Sequence, residues 1–208
     1  MPTHEIYDNS PVTQNNYKKI SLFSGRFQPP HAGHVAVWKW LSDNFDDAYI
    51  ITSDLVNDNS PFDFLEKQSL FAHAGIPPEH VVKVQSPYNP KEIMNTIDPQ
   101  TTVILFAVGE KDMDDNPRFE FKNKKDGRPS YLQSYKKNVA NLRPASEHAY
   151  VITVPTTNFK VGGRNMMSAT EFRNLFSKAN DSEQMKMIID TYGKYSDTAH
   201  QLLKDKLE

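Results

Sequence analysis

At 208 residues the chain has the length of one α/β domain with some elaboration, and its 38% hydrophobic and 24% charged residues exclude both a disordered chain and a membrane-embedded one. A formal net charge of -2 gives no whole-molecule field for duplex DNA or an anionic membrane, so nucleic acid is not an expected partner and any anion affinity has to be local. Cysteine is absent, which removes disulfides, thiolate chemistry and cysteine-bound zinc; with no basic start leading into an apolar run and no long apolar segment, a cytoplasmic protein without membrane contact is expected.

Residues 1–17, rich in Asn, Pro and Thr and without periodicity, read as an extended arm, so regular structure is expected to begin near Lys18. Residues 20–24 (ISLFS) form a β-prone run that closes on Gly25 and leads into GRFQPPHAGH, whose paired prolines forbid a helix until the second has passed. From His34 onward Val35, Val37, Trp38, Leu41 and Phe45 fall on one face of an amphipathic helix, and 48–52 (AYIIT) reads as a buried strand. The alternation continues with a helix over 62–74, a strand over 81–84, a short helix over 91–97, the strongest strand over 102–108, another over 150–154 and a helix over 169–179. Residues 182–207 read as one or two closing helices broken near Gly193. This order predicts an α/β fold: an open parallel sheet with helices on both faces over 18–180, and C-terminal helices (181–208) packed on the same domain. Ligands of such sheets bind beyond the carboxyl ends of the strands, near the point where strand order reverses.

Three of the predicted strand-exit regions carry unusual residues. His31 and His34 stand three apart at the junction of a loop and a helix N-terminus, where backbone N–H groups and the helix dipole favour an anion. Imidazoles so spaced can point the same way and donate hydrogen bonds to phosphate oxygens as negative charge builds during group transfer, while Gly33 allows close backbone approach. Taken alone, the pair is also compatible with plain surface placement. Downstream, Met167-Ser168-Ala169-Thr170-Glu171-Phe172-Arg173 opens a helix: Ser168 as N-cap presents donors, and Arg173 adds a permanent planar cation suited to phosphate. Ser168 with Glu171 is equally an ordinary capping box when considered in isolation.

Together these segments resemble the two signatures of the HxGH nucleotidyltransferase superfamily, the cytidylyltransferase-like group. GRFQPPHAGH is closest to the GRFQPxHxGH form of archaeal-type nicotinamide mononucleotide adenylyltransferases, and MSATEFR to the ISxTxxR segment. Pro30 and Met167 depart from the usual residues at their positions. The resemblance implies a Rossmann-like sheet. It further implies that His31, His34 and Arg173 are catalytic, and that Gly25, Arg26, Phe27, Gly33, Ser168 and Thr170 bind the nucleotide. Gly109-Glu110-Lys111-Asp112 resembles a family loop set against the ribose or the second substrate, so Gly109 and Asp112 are assigned there, although a simple turn fits the same residues. Ser60-Pro61-Phe62, followed by Glu66 and Lys67, resembles the family's NPFTxxER stretch, with Ser in the first position; it reads mainly as a helix start.

Arg26 can meet phosphate from the loop, whereas Lys39 reads as a solvated position and Trp38 as a core residue. Residues 113–148 form an excursion too long for a plain connection and mixed in Lys, Arg and Tyr, with Lys122, Lys124, Lys125 and Arg128 among its cations. A solvated excursion, a lid, a homo-oligomer contact and a nucleic-acid patch are the readings it admits. The function implied by the resemblance is transfer of AMP from ATP, with Mg²⁺, to a small phosphorylated acceptor, nicotinamide mononucleotide, giving NAD and pyrophosphate. Mg²⁺ would be carried on the phosphates, and no protein metal ligand is assigned. A CTP-dependent cytidylyltransferase or another adenylyltransferase on the same scaffold is the nearest alternative, and a non-catalytic nucleotide- or nucleic-acid-binding module the alternative of another class.

Overall fold

Alternating β-branched and aromatic residues build the centre of the molecule, which a computed structural model describes for residues 16–113, 119–154, 159–166 and 168–208. The extended arm expected over residues 1–17 thus lies almost wholly outside the described residues, as does Met167. In chain order the elements are β1 (Lys18–Ser24), α1 (Ala32–Asn44), β2 (Asp47–Thr52), α2 (Phe64–His73), β3 (Val81–Lys83), α3 (Lys91–Met94), β4 (Thr102–Gly109), β5 (Leu132–Ser134) and α4 (Tyr135–Asn138). They are followed by β6 (Ala149–Val154), β7 (Phe159–Val161), β8 (Arg164–Met166), α5 (Ala169–Phe176), α6 (Asp181–Tyr192) and α7 (Asp197–Leu207).

Strands β3-β2-β1-β4-β6-β5 form one sheet in that order, parallel throughout. The chain moves outward from β1 through β2 to β3, then returns to the other side of β1 as β4. Strand order therefore reverses between β1 and β4, whose register pairs Leu22 with Phe106 and Phe23 with Ala107. The fold is α/β and Rossmann-like.

β4 is buried along almost its whole length because both of its faces are covered, which explains its continuous apolar run. On one face Phe23, Ile50, Val103, Leu105, Ala107 and Ile152 pack under α1 and α2 through Val35, Val37, Trp38, Leu41 and Phe71. On the other, Ile20, Leu22, Ile51, Ile104 and Phe106 are covered by Ile93 of α3 together with Val84 and Ala145. A third cluster joins Phe62 and Leu70 to the β7–β8 hairpin and to α5, α6 and α7, through residues such as Phe159, Phe172, Met187 and Leu203.

The structure differs from the sequence reading in two places. Residues 113–148 are not wholly a solvated excursion: β5 lies inside them and adds an edge strand by pairing with β6, Gln133 opposite Tyr150. And β7–β8 forms an antiparallel hairpin separate from the main sheet, turning at Gly162 and Gly163, both with positive φ (57° and 76°), just before the second motif. The helix break at Gly193 is as expected: it ends α6 in the left-handed conformation at φ 81°. Among the described residues no helix is long and apolar enough to cross a membrane.

Candidate active site

The switch point between β1 and β4 is where the first motif emerges. β1 ends at Ser24 and its neighbour β4 at Gly109, so Gly25–Arg26–Phe27 and Gly109–Asp112 leave adjacent strands at the same edge of the sheet. Gly25 is required there because the loop folds back on itself: a Cβ at Gly25 would lie 2.7 Å from the Phe27 ring. Phe27 itself takes a left-handed backbone (φ 51°), uncommon outside glycine, and is buried with its edge toward His34 at 4.8 Å and toward Phe71 at 5.2 Å. Its ring thus supports His34 from below.

α1 starts directly after the paired prolines, with His31 at the N-cap in extended conformation and no acidic residue in the first turn. The His31 backbone N–H donates to Nδ1 of His34 at 3.2 Å, which places the His34 proton on Nε2 and makes that nitrogen a donor. The two imidazoles are stacked, centroids 3.4 Å apart and planes 23° from parallel, and the far face of His31 lies on Phe159 of β7 at 4.5 Å and 16°. Burial pushes the His31 imidazole down to about 4, and burial together with the neighbouring His31 holds His34 well below the ordinary histidine range. Both rings are therefore neutral N–H donors at neutral pH. Gly33 makes the stack sterically feasible, since a Cβ there would stand 3.2 Å from the His31 ring and 3.3 Å from Phe159.

The second motif meets the first through Arg173. One guanidinium nitrogen donates to the Gln28 carbonyl at 2.6 Å and the other approaches the Thr170 hydroxyl at 3.5 Å. Burial, and then the charge of Arg26, lowers the Arg173 pKa, so the two guanidinium groups lie within electrostatic reach of each other. Ser168 caps α5 by accepting from the Glu171 N–H at 3.2 Å.

Gln28, quoted in the motif but given no role from sequence, holds the arrangement together. It is buried; its side-chain amide donates to the Phe62 carbonyl at 2.9 Å and its oxygen accepts from the Phe62 N–H at 2.8 Å. Tyr192 of α6 donates its buried hydroxyl to the Pro30 carbonyl at 3.0 Å, so Pro30 occupies a tethered position in this chain. The Ser60–Phe62 segment precedes a true capping box, in which the Asp63 side chain accepts from the Glu66 N–H and the Glu66 side chain from the Asp63 N–H, both at 2.9 Å. Lys67 is wholly buried, donating to the Thr52 hydroxyl at 3.1 Å and the Ser53 carbonyl at 2.5 Å at the end of β2. Trp38 is a core residue, with its indole N–H on the Ala48 carbonyl at 3.0 Å, and Lys39 is exposed. In the excursion Lys122 pairs with Glu120 and Arg128 with Asp126.

The model of the cytidylyltransferase-like family matches residues 22–175, well over half of the chain and both motifs. The chain belongs to that family. Over 42 residues it is 43% identical to nicotinamide-nucleotide adenylyltransferase 1 of Sulfolobus acidocaldarius, a match spanning 20% of this chain and 24% of that protein. Among solved structures, Plasmodium falciparum nicotinic acid mononucleotide adenylyltransferase complexed with NaAD superposes with a TM-score of 0.52 at 17% identity, over 91% of this chain and 96% of that one. A bifunctional NMN adenylyltransferase/ADP ribose pyrophosphatase of Francisella tularensis gives 0.50 at 19% identity, over 90% of this chain and 49% of that one. The chain thus spans less than two thirds of the Sulfolobus and Francisella proteins, and the structural likenesses bear on the fold.

Proposed function

We propose that the protein transfers AMP from ATP to nicotinamide mononucleotide, releasing pyrophosphate and forming NAD. The observation that carries this reading is the pair of neutral, stacked imidazoles at a helix N-terminus, beside an arginine that docks on the same loop. An oxygen of the acceptor's phosphate attacks the α-phosphorus of ATP, and the α–β bridging oxygen leaves with the electron pair as pyrophosphate. The reaction is a positioning and charge problem, and it needs no covalent protein intermediate.

The residues divide the work by place. The Nε2–H of His34, with the imidazole of His31 stacked on it, faces charge developing on the α-phosphate. Arg173 and Arg26 face the β- and γ-phosphates, with the hydroxyls of Ser168 and Thr170 beside them. Gly109 and Asp112, across the switch point, are assigned to the ribose or the acceptor. Mg²⁺ is taken to arrive with ATP as part of the substrate, with no protein ligand assigned to it. There it would screen phosphate charge. The choice of nicotinamide mononucleotide rests on the GRFQP form of the first motif, with the short Sulfolobus match in support.

The test is pyrophosphate release with ATP or CTP, each combined with nicotinamide mononucleotide, nicotinic acid mononucleotide or another phosphorylated acceptor. Turnover with ATP and nicotinamide mononucleotide exceeding every other combination is expected. Activity confined to CTP, or preference for a different acceptor, would overturn the assignment.

A further inference from the structure

The way His31 is held points to a residue outside both motifs. A catalytic imidazole is usually oriented by a hydrogen bond at the nitrogen that does not face the substrate. In His31 that nitrogen is enclosed: Nδ1 is buried and makes no well-formed hydrogen bond among the described residues, and the polar group set against it is the backbone N–H of His34 in the first turn of α1. What contacts its faces is carbon and imidazole, His34 on one side at 3.4 Å and Phe159 on the other at 4.5 Å. Phe159 is 8% exposed and anchored in the cluster that includes Phe62, Met166 and Phe172, while Gly33 leaves the space that lets the three rings close.

We infer that Phe159 is the positioning residue for His31, clamping the imidazole flat against His34 so that its free nitrogen faces the α-phosphate. The inference rests on the adenylyltransferase reading for its catalytic consequence and on the ring geometry for its structural one. The strand that carries Phe159 is tied to the turn at Gly162, whose N–H donates to Asp190 of α6 at 2.8 Å, so the clamp is mounted on the C-terminal helices. Among the described ionisable groups, His34 on α1 stacks on the ring and Tyr192 on α6 is engaged with the neighbouring Pro30 carbonyl, while Arg173 on α5 is engaged with the Gln28 carbonyl and lies within electrostatic reach of Arg26.

The test pairs a measurement that needs no substrate with one that does. The Cε1–H resonance of His31, assigned by its loss in His31→Ala, is followed through a pH titration in wild type, Phe159→Leu and Phe159→Tyr. Loss of the flat ring in Phe159→Leu opens one imidazole face to water, so the His31 midpoint is expected to rise by roughly one pH unit or more. In turnover with ATP and nicotinamide mononucleotide, kcat is expected to fall roughly ten- to a hundredfold with KM for ATP within about threefold, because a displaced ring is lost from the transition state more than from the ground state. Phe159→Tyr keeps the ring and is expected to restore both. Phe159→Met preserves buried volume without a flat ring and serves the same comparison if the leucine variant does not fold. A His31 midpoint unmoved in a folded Phe159→Leu or Phe159→Met protein would overturn the inference, whatever the activity. Absence of adenylyl transfer in wild type would instead overturn the functional reading and leave the titration to decide the clamp.

Discussion

Two imidazoles stacked at 3.4 Å cannot share a site as two cations, and the burial around His31 and His34 already disfavours one. This has a thermodynamic consequence separable from catalysis. Well above pH 6.5 the ring of His31 is neutral in both folded and unfolded chains and contributes nothing to pH dependence. Below it the unfolded chain takes up a proton that the folded protein refuses until about pH 4, so stability falls as pH drops through that window. For His31 alone the loss amounts to about 3 kcal/mol, and His34 adds to it in the same direction. Urea denaturation from pH 7 to pH 4 should show that slope in wild type and a shallower one in His31→Ala; equal slopes would contradict it. Gly33→Ala is predicted to act on catalysis. The added methyl must push His31 or Phe159 aside by a few tenths of an ångström, and kcat should fall roughly tenfold in steady-state assays while the protein stays folded.

At the scale of elements, the loop of the first motif is a junction. Gln28 joins it to the segment before α2 through both backbone groups of Phe62, and through its carbonyl to Arg173 of α5. Gln28→Ala strands a buried N–H and a buried carbonyl, so it should destabilise the protein by about 2 kcal/mol or more, read as a lowered denaturation midpoint. It should also raise KM for ATP by loosening Arg173. The sequence was legible for elements whose apolar spacing is long and regular, which is why β1, β2, β4, β6, α1 and the break in the closing helices lie where the pattern puts them. β5 was illegible because three half-buried residues, Leu132–Ser134, carry no periodic signal and owe their strand to the edge that β6 offers. The β7–β8 turn did have a signal: Gly162-Gly163 between FKV and RNM is a two-residue hairpin connection. At the site the motif histidines and Arg173 could be picked out through the resemblance of the two motif segments read together, whereas spacing alone left the histidines open to plain surface placement. Gln28 and Phe159 could not, because a buried amide and an aromatic ring reveal their partners only once distant segments meet.

The whole molecule couples its C-terminal helices to the chemistry. α6 reaches the first motif through Tyr192 and the hairpin through Asp190, α7 reaches α2 through the Lys206–Glu66 ion pair at 2.9 Å, and the cluster around Phe62, Phe159, Phe172 and Leu203 binds these parts into one body. Such a scaffold holds the two imidazoles, the two arginines and the ends of β1 and β4 in fixed relation, which is what an in-line displacement relying on positioning demands. The central claim is that His31 and His34 stabilise the transition state of nucleotidyl transfer. Its most direct test is the rate of pyrophosphate release at saturating ATP and nicotinamide mononucleotide for wild type, His31→Ala, His34→Ala and the double variant, with folding checked at pH 7. The account predicts a loss of roughly 10²-fold or more in kcat for each single variant, and KM for ATP changed far less. A folded double variant turning over within about threefold of wild type would contradict it.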